Sequence, residues 1–436
     1  MARLLNLSWL ESLKDSVKGA DIAADDATLD KFSVYSVKPS CVCTPKNEDE
    51  AISIIQFASS QKISITPWGS GVHQRIGYPP VQDSLALNTS GLNRLTYYEP
   101  DDMVASVQAG MRLKDLQDTL NARGQWLPLD VSPERSIGGL VAANMNGPCA
   151  FGYGTLRDMV LGITIIHGDG VRRKCGGRVV KNVTGYDLNK LYIGSFGTLG
   201  LITEIAFKLR PLPIARDGWH IPAANIKEGI EVLQKIDAKN LPLEILHLFS
   251  RDTFTPPVEQ QSVPSLDFGS AFHVLISAAG TTMELDRIDR EIVAVTESKK
   301  IRRFHASVSL KDCWFMNLSS VSTKNSLPCA RLRFWCTRST LQPTLELIHG
   351  GDTQPHGLHS LNPLGGTSEL LEISEAKAAK ILEGLPKLGV NFRFENIRGI
   401  KIDQPFGPSH PEWALMKRIK ETLDPQGIFN PGRFVV

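Results

Sequence analysis

The chain has 436 residues, of which 42% are hydrophobic and 22% charged, and its formal net charge at pH 7 is +2. This composition is typical of an ordinary globular protein, and so small a net charge argues against a dedicated nucleic-acid binder. At ~100 to 200 residues per domain, the length predicts two or three domains.

Residues 1–23 alternate apolar and charged side chains and lack a continuous apolar run. This pattern argues against a signal peptide and against a membrane span. It predicts an amphipathic helix that packs on its own domain, with an apolar face of Leu4, Leu5, Trp9, Leu10 and Leu13. We therefore expect a cytoplasmic protein, peripheral to a membrane only through its partners.

The seven cysteines include no CxxC pair. Their odd number and wide spacing argue against a disulfide framework, and also against a zinc or iron–sulfur site held by this chain. Any such cluster is expected on a partner protein.

The first predicted elements are a strand, a helix opened by Thr44 and Pro45, and a strand from Ile63 to Thr66. The second strand runs into ITPWGSGVHQ, which contains Gly69 and Gly71. An isolated GxG most simply forms a tight turn, but it also allows a ligand to approach the backbone closely.

A second stretch, SPERSIGGLVAANMNG, strengthens the ligand interpretation. It places Gly138 and Gly139 behind Ser136 and adds Asn144 and Asn146, so two donor-rich loops could hold one anion. A third stretch carries Gly185, Gly194, Gly197 and Gly200 before a strand predicted from about Gly200 to Leu209, although those glycines also fit a hairpin.

Two common nucleotide-binding folds do not fit these loops. The first loop lacks a third glycine and continues into RIGYPP, which cannot open the helix that a Rossmann fold needs at the pyrophosphate. No GxxxxGK[ST] motif occurs, which argues against a P-loop nucleotide triphosphatase. Between the glycine stretches we predict a helix from Arg112 to Ala122 and a hairpin around GDG.

After Pro211 and Pro213, strand-like runs alternate with helical ones, which predicts a separate α+β domain. The proline-rich stretch FTPPVEQQSVPSLDFGS predicts a surface loop. The C-terminal stretch predicts a helix that ends at Pro425 and an irregular tail.

Five motifs in this order point to one family: PWGSG, SIGGLVAANMNG, YGTLRDMVLG, GGRVVKNVTGYDLNKLYIGSFGTLGLITEIAFKLRPLP and LMKRIKETLDPQGIFNPGRF. Together they resemble the vanillyl-alcohol-oxidase type of FAD-binding proteins, also called PCMH-type. Within that family, the chain resembles the FAD-binding subunits of bacterial glycolate oxidases. The resemblance covers Val42 to Pro213 and the C-terminal tail well, and the middle region only vaguely.

The resemblance implies an α+β fold with a two-subdomain FAD-binding domain at 37–213, preceded by an N-terminal helical segment at 1–36. An α+β cap domain would follow at 214–395, and a segment at 396–436 would return to the FAD domain. The FAD-contacting residues implied by the resemblance are Pro67, Trp68, Gly69, Ser70, Gly71, Val72, His73, Asp130, Ser136, Ile137, Gly138, Gly139, Ala143, Asn144, Asn146, Gly200 and Ile202.

Some members of the family bind FAD covalently through a histidine in the first loop. The usual position directly follows the glycines, where this chain has Val72, and His73 comes one residue later. We therefore expect non-covalent FAD.

Flavin-dependent 2-hydroxy-acid dehydrogenases of this superfamily need a carboxylate clamp, a base for the hydroxyl proton and often a metal. Their motif resembles HxGDGNxH followed downstream by a Glu-His pair. This chain has HGGDTQPH, with His349 and His356, and then Glu395 followed by Asn396. Because asparagine cannot accept a proton near neutral pH, the base would be missing, and a polar loop without metal is the simpler interpretation.

Arg331 and Arg333 alternate with apolar residues on a predicted strand. They could clamp a substrate carboxylate, although paired surface arginines are the commoner outcome.

The leading hypothesis is an FAD-binding subunit of a complex that oxidises glycolate or another small 2-hydroxy acid. Its partners would be a catalytic flavin subunit and an iron–sulfur subunit. A self-sufficient FAD-dependent 2-hydroxy-acid dehydrogenase and a non-catalytic assembly subunit are the alternatives.

Overall fold

The computed structural model describes residues 8–179, 185–250, 270–296, 301–305, 329–349, 358–363, 365–371 and 373–435. Helices and strands mix along the whole described chain, which confirms the predicted α+β class. Within these ranges, no helix is both long and apolar enough to cross a membrane.

The first part of the chain forms a four-stranded sheet in the order β1-β2-β4-β3. Strand β1 runs antiparallel to β2, whereas β2 and β3 both run parallel to β4. Its elements are α1 Ser8–Ser16, β1 Asp21–Ala23, α2 Asp26–Lys31, β2 Cys41–Thr44, α3 Glu48–Gln61, β3 Ile65–Trp68 and β4 Leu85–Asn88, followed by a 3-10 turn at Thr89–Gly91.

Helix α3 shows why the sequence folds in this way. Asn47 caps it by accepting the Glu50 N–H at 2.9 Å, and three acidic residues in the first turn favour the helix dipole. Its apolar stripe, which includes Ile54 and Ile55, is buried against the sheet. The chain therefore leaves α3 in position to form β3 and the first glycine loop.

A five-stranded antiparallel sheet in the order β5-β6-β10-β8-β9 forms the second part. The strands are β5 Leu95–Glu99, β6 Val104–Gln108, β7 Gln125–Trp126, β8 Val160–Ile166, β9 Arg172–Gly176, β10 Leu201–Lys208 and β11 Arg210–Pro211, of which β7 and β11 pair with each other. The helices of this part are α4 Leu113–Asn121, α5 Ile137–Ala143, α6 Ala150–Tyr153, α7 Leu156–Met159 and α8 Asn189–Tyr192.

The third part is an eight-stranded sheet in the order β15-β12-β14-β13-β17-β18-β16-β19, antiparallel at every described pair. One face packs against helices in a single apolar core. The strands are β12 Ala215–Ala223, β13 Ile245–Ser250, β14 Phe272–Gly280, β15 Arg302–His305, β16 Cys329–Trp335, β17 Leu358–Asn362, β18 Gly365–Leu371 and β19 Asn391–Arg398. The helices are α9 Ile226–Asp237, α10 Thr282–Thr296, α11 Leu341–His349, α12 Glu375–Lys387 and α13 Glu412–Leu423.

The C-terminal tail returns to the first sheet after α13. Ile65 of β3 donates its N–H to the Ile428 carbonyl at 2.7 Å, and the Asn430 N–H donates to the Ile65 carbonyl at 2.9 Å. The buried Lys420 ammonium donates to the Thr198 carbonyl and to the Asp424 carboxylate. These bonds fix the tail beside the first glycine loop.

Several sequence predictions match these elements, and one differs. Leu10 and Leu13 of α1 are buried against the core of the first sheet, which confirms that this helix packs on its own domain. The second glycine stretch, predicted as a loop, instead forms α5. Its two glycines lie in the first turn, where Gly138 packs so closely on Ala109 that a side chain would not fit.

The domain limits predicted at residues 36, 213 and 395 stay a prediction. The structure adds two details. Strand β1 of segment 1–36 pairs with β2, and β19 continues to Arg398, three residues past the proposed limit at 395. Leu4, Leu5 and nearly all of the proline-rich stretch lie outside the described residues.

Candidate functional site

A cleft lies between the first glycine loop, α5, the chain entering β10 and the C-terminal tail. The lining consists mainly of backbone and small or apolar side chains. Its residues are Pro67, Trp68, Gly69, Ser70, Gly71, Val72, His73, Gln74, Thr89, Ala109, Gly138, Gly139, Ala142, Ala143, Phe196, Gly197, Gly200, Leu201, Ile202, Arg433 and Phe434.

The first glycine loop presents unpaired backbone donors to this cleft. Gly71 has a φ of +77°, and a Cβ on Gly69 would lie 2.0 Å from the Ser136 Oγ, so both positions require glycine. Ser70 and Ser136 lock the loop to the start of α5: each backbone N–H donates to the other hydroxyl, at 3.0 and 3.3 Å. The N–H groups of Gly69 and Gly71 have no acceptor among the described residues, and such groups suit a bound anion.

Helix α5 forms the opposite wall of the cleft. Gly138 donates its N–H to the Ala109 carbonyl at 2.7 Å, and a Cβ there would come within 2.6 Å of the Ala109 Cβ. A Cβ on Gly139 would meet only the Ser136 Oγ within 4 Å, so this glycine faces the open cleft. A cradle with backbone donors and apolar, glycine-lined walls fits a dinucleotide cofactor with a diphosphate and a flat ring.

Twelve of the residues predicted to contact FAD lie in the lining of this cleft: Pro67, Trp68, Gly69, Ser70, Gly71, Val72, His73, Gly138, Gly139, Ala143, Gly200 and Ile202. Their contact with FAD stays a prediction, as does that of the other five residues. Asp130, Ser136, Ile137, Asn144 and Asn146 are not among the lining residues.

Two of these five residues, Asp130 and Asn146, accept hydrogen bonds from backbone N–H groups outside the lining. The Asp130 carboxylate accepts the Cys149 N–H at 3.0 Å, and burial raises the pKa of this carboxyl to about 7. Asn146 accepts the Leu156 N–H at 2.6 Å through its Oδ1.

Sequence reasoning missed Arg433, which the tail brings into the lining. Its side chain is 2% exposed and donates to the Gln74 Oε1 at 2.7 Å and to the Tyr78 carbonyl at 3.1 Å. Burial lowers the pKa of this guanidinium to about 10. The only sequence signal was the tail motif NPGRF, which gives no indication of what its arginine contacts.

Next to the cleft lies a polar cluster that we call the arginine chamber: Arg135, Arg331, Arg333, Arg393, Glu395 and His73. Strands β16 and β19 supply four of its members in register, because Arg331 lies opposite Glu395 and Arg333 lies opposite Arg393. The intervening residues, such as Leu332 and Phe394, point to the opposite face and belong to the apolar core. The alternation of the two strands therefore sorts charge to one face and core to the other.

Glu395 holds two of the arginines together. Its Oε1 accepts the Arg393 Nε–H at 2.6 Å and the Arg333 Nε–H at 3.2 Å. Burial alone would raise the pKa of Glu395, but Arg333 and Arg393 outweigh it and hold this pKa at about 2. The carboxylate is therefore ionised at neutral pH.

His73 connects the chamber to the cofactor cleft. The Arg135 Nη1–H donates to its Nε2 at 3.0 Å, so this nitrogen is the acceptor and the ring is neutral. Burial and the positive charge of Arg135 lower the pKa of His73 to about 3. The imidazole is consequently a weak base at neutral pH.

The chamber also retains hydrogen-bond donors. The buried Nε atoms of Arg135 and Arg331 have no hydrogen-bond partner among the described residues. Four guanidiniums face one carboxylate, so the described part of the chamber carries a net charge of 4 − 1 = +3. Arginine forks of this kind suit the carboxylate of a small acid.

The structure places Asn396 against backbone. Its N–H donates to the Arg75 carbonyl at 3.1 Å, and its φ is +50°. The side chain of His349 and residues 350–357, including His356, lie outside the described residues, so the predicted metal ligands there are not placed. Elsewhere, no group of three or more described His, Cys, Asp or Glu residues could hold a metal ion.

Comparison with known proteins adds two family models. Residues 39–176 match the FAD binding domain model, and residues 408–434 match the model of the C-terminal domain of FAD linked oxidases. The chain carries an FAD-binding domain. The matched regions supply most of the cleft, including the first glycine loop, α5 and Arg433.

Curated relatives match nearly the whole chain. It is 25% identical to the glycolate oxidase subunit GlcD of Bacillus subtilis, covering 99% of this chain and 95% of that protein. It is 26% identical to the D-lactate dehydrogenase of Archaeoglobus fulgidus, over 98% and 99% of the two chains. It is 28% identical to the mitochondrial D-2-hydroxyglutarate dehydrogenase of Bos taurus, over 89% and 75%.

Among solved structures, an alkyldihydroxyacetonephosphate synthase superposes with a TM-score of 0.71 at 16% identity, covering 98% of this chain and 84% of that one. This likeness shows the fold alone. Together, the family models and relatives confirm the predicted PCMH-type protein, FAD as its cofactor and an FAD-dependent oxidoreductase.

Proposed function

We propose that this chain is the FAD-binding subunit of a complex that oxidises a small 2-hydroxy acid, glycolate or lactate. A catalytic flavin subunit and an iron–sulfur subunit complete the complex. Three curated relatives are named for glycolate, D-lactate and D-2-hydroxyglutarate oxidation, which supports the substrate class.

The chamber explains how the chain would hold such an acid. The donors of Arg135 and Arg331 that have no partner among the described residues would bind the carboxylate beside His73, a residue shared with the cofactor cleft. If the chain itself oxidises the acid, bound FAD would supply the hydride acceptor. The arginines would then fix which carbon faces that acceptor, and the burial of Arg135 and Glu395 would exclude water from it.

The observation that carries the accessory role is the absence of a suitable base among the chamber's described residues. Loss of a hydride from a hydroxy acid requires loss of the hydroxyl proton, and an efficient base has a pKa near the working pH. His73 has a pKa of about 3 and Glu395 of about 2. Asn396 follows Glu395 at the position where the related motif has histidine, and an amide cannot take the proton.

The cysteines favour onward electron transfer through a partner. Cys41 and Cys43, which lie closest in sequence, are buried with their sulfurs 3.8 Å apart. The hydrogen bond with Cys41, together with burial, keeps the pKa of Cys43 above its usual range, so its thiol is poorly suited to ligate a cluster.

A self-sufficient dehydrogenase is the second candidate. The partly unpaired arginines favour it, since they place a carboxylate site directly beside the cofactor cleft. The two candidates differ in whether this chain's own flavin is reduced by substrate.

Anaerobic mixing of the purified, FAD-loaded chain with glycolate or D-lactate tests this difference. We expect the visible flavin absorbance to shift slightly as the acid binds, without bleaching. Full bleaching within seconds would favour the self-sufficient dehydrogenase, and a chain purified without flavin would favour an assembly subunit.

A further inference from the structure

A second and larger cavity opens beside the cofactor cleft, and Arg393 is the one residue of the arginine chamber that lines it. It has a volume of about 600 Å³ and lies between the chain before β10, the end of β16, β19, α13 and the tail. We call it the aromatic groove. The residues that carry the argument are Leu191, Phe196, Trp335, Trp413, Met416 and Phe434.

The groove exposes apolar side chains that ordinarily would be covered. Trp335 is 46% exposed, Met416 is 45% exposed and Leu191 is 38% exposed, and all three belong to its lining. Contiguous exposed apolar surface of this kind marks an interaction site. The lining also includes Trp, Phe, Met and Arg side chains, which are enriched at the cores of protein interfaces.

The charge of the groove indicates its occupant. Its lining contains Arg157, Lys190 and Arg393 but no aspartate or glutamate. Lys190 has Asp187 at 3.6 Å and Arg393 binds Glu395, whereas Arg157 has no carboxylate within 4 Å among the described residues.

The groove is also directly connected to the cofactor cleft. Phe196 and Phe434 line both cavities, and their rings stack with centroids 4.7 Å apart and planes 10° apart. The Arg393 guanidinium lies over the Phe196 ring at 5.2 Å and over Trp335 at 5.4 Å. A protein seated in the groove would therefore be separated from the cleft by one aromatic pair.

We propose that the aromatic groove is the docking surface for a redox partner subunit, which inserts an apolar segment carrying acidic side chains. This inference rests on the proposed function, because it requires the chain to work within a complex. It adds the surface and the chemistry of the contact.

Co-purification of the whole complex tests the proposal. A tagged chain is co-expressed with the flavin subunit and the iron–sulfur subunit, and Met416→Asp and Leu191→Asp are compared with Met283→Asp. Met283 is 84% exposed on α10 and does not line the groove, so it receives the same chemical change outside it. FAD content and unfolding temperature verify that each variant is folded.

We expect each groove variant to retain at most about a tenth of the partner subunits, since a carboxylate in an interface core typically costs more than ~1.4 kcal/mol. Met283→Asp should retain them like the wild type. Raising the salt from about 50 to about 500 mM should weaken the wild-type complex, because screening reduces the attraction between arginines and acidic residues.

Other outcomes separate the two proposals. Groove variants that retain both partners, or a complex insensitive to salt, would overturn the docking surface and leave the proposed function standing. A wild-type chain that retains no partner would overturn both. Self-association of the chain that Met416→Asp abolishes would assign the groove to a second copy and overturn the redox partner.

Discussion

The cofactor cleft and the arginine chamber adjoin each other at His73, yet they are built in opposite ways. The cleft uses backbone N–H groups and glycines from short, contiguous stretches, and its surface is mostly apolar. The chamber uses long cationic side chains from β16, β19 and the loop before α5, which meet only in the folded chain. The first design binds a cofactor of fixed shape, and the second binds a charge.

The largest expected effect is the loss of FAD binding in the cleft. Gly139→Asp should abolish FAD binding, because the new carboxylate would face the cleft beside the cofactor's diphosphate. Two like charges about 4 Å apart repel by about 4 kcal/mol at an effective dielectric constant of about 20, which corresponds to about a thousandfold in affinity. Flavin content after desalting is the measurement.

Gly139→Asn is the matched control, since it adds nearly the same volume without the charge, and it should retain more FAD than the aspartate variant. His349→Ala should leave flavin content unchanged. Equal occupancy in Gly139→Asp and the wild type would show that α5 does not face the diphosphate.

The next effect concerns the stability of the chamber. Glu395→Gln should lower the free energy of unfolding at pH 7 by about 3 kcal/mol or more, because it removes the partner of two largely buried arginines. Urea unfolding followed by tryptophan fluorescence measures it. Glu383→Gln, which removes the partner of Lys387 in an exposed ion pair, should cause no measurable change.

The same variant tests the pH dependence. The pKa of Glu395 is lowered to about 2 in the fold, so its contribution is present above its unfolded pKa of about 4.3 and is lost as the pH falls towards about 2. The stability difference between wild type and Glu395→Gln should therefore shrink across this window. A difference that stays constant down to pH of about 2 would contradict the pairing.

A smaller effect is expected on the binding of a 2-hydroxy acid in the chamber. Arg331→Met should weaken the binding of a small 2-hydroxy acid by about ten- to a hundredfold, since a hydrogen bond to a charged group contributes about 1.5 to 3 kcal/mol. FAD content should not change. Calorimetric titration measures the affinity, and Arg338→Met, which alters an exposed arginine paired with Asp237, should bind like the wild type.

The last prediction is that FAD is not covalently attached to the chain. His73 is the histidine nearest the usual linkage position, but its Nε2 already accepts a hydrogen bond from Arg135 and Val72 occupies the usual site. Acid precipitation should release all the flavin into the supernatant. Yellow colour on the denatured chain would instead show a covalent link.

The contrast between the two regions also explains what the sequence could predict. Gly69, Gly71 and Gly139 were predictable because a backbone cradle needs glycine, and glycine leaves a visible pattern. Arg331 and Arg333 could be assigned to one face from their alternation with Leu332 and Phe334. Whether that face met solvent or a cleft could not be predicted from the alternation.

Arg135, Arg393 and Arg433 escaped prediction for a related reason. Each contacts a residue far away in the chain: Arg135 meets His73 across 62 positions, Arg433 meets Gln74 across 359, and Arg393 lies over the ring of Phe196. Helix α5 was missed because its glycines disfavour a helix locally, while packing of Gly138 on Ala109 favours it in the fold.

The accessory role requires that the described residues of the arginine chamber include no suitable base. One measurement tests this requirement directly. Glycolate- and D-lactate-dependent dye reduction is assayed with the FAD-loaded chain alone and with the chain co-expressed with both partner subunits. We predict no significant turnover by the chain alone and clear turnover by the complex. Robust dye reduction by this polypeptide alone would contradict the accessory role and establish it as a self-sufficient dehydrogenase.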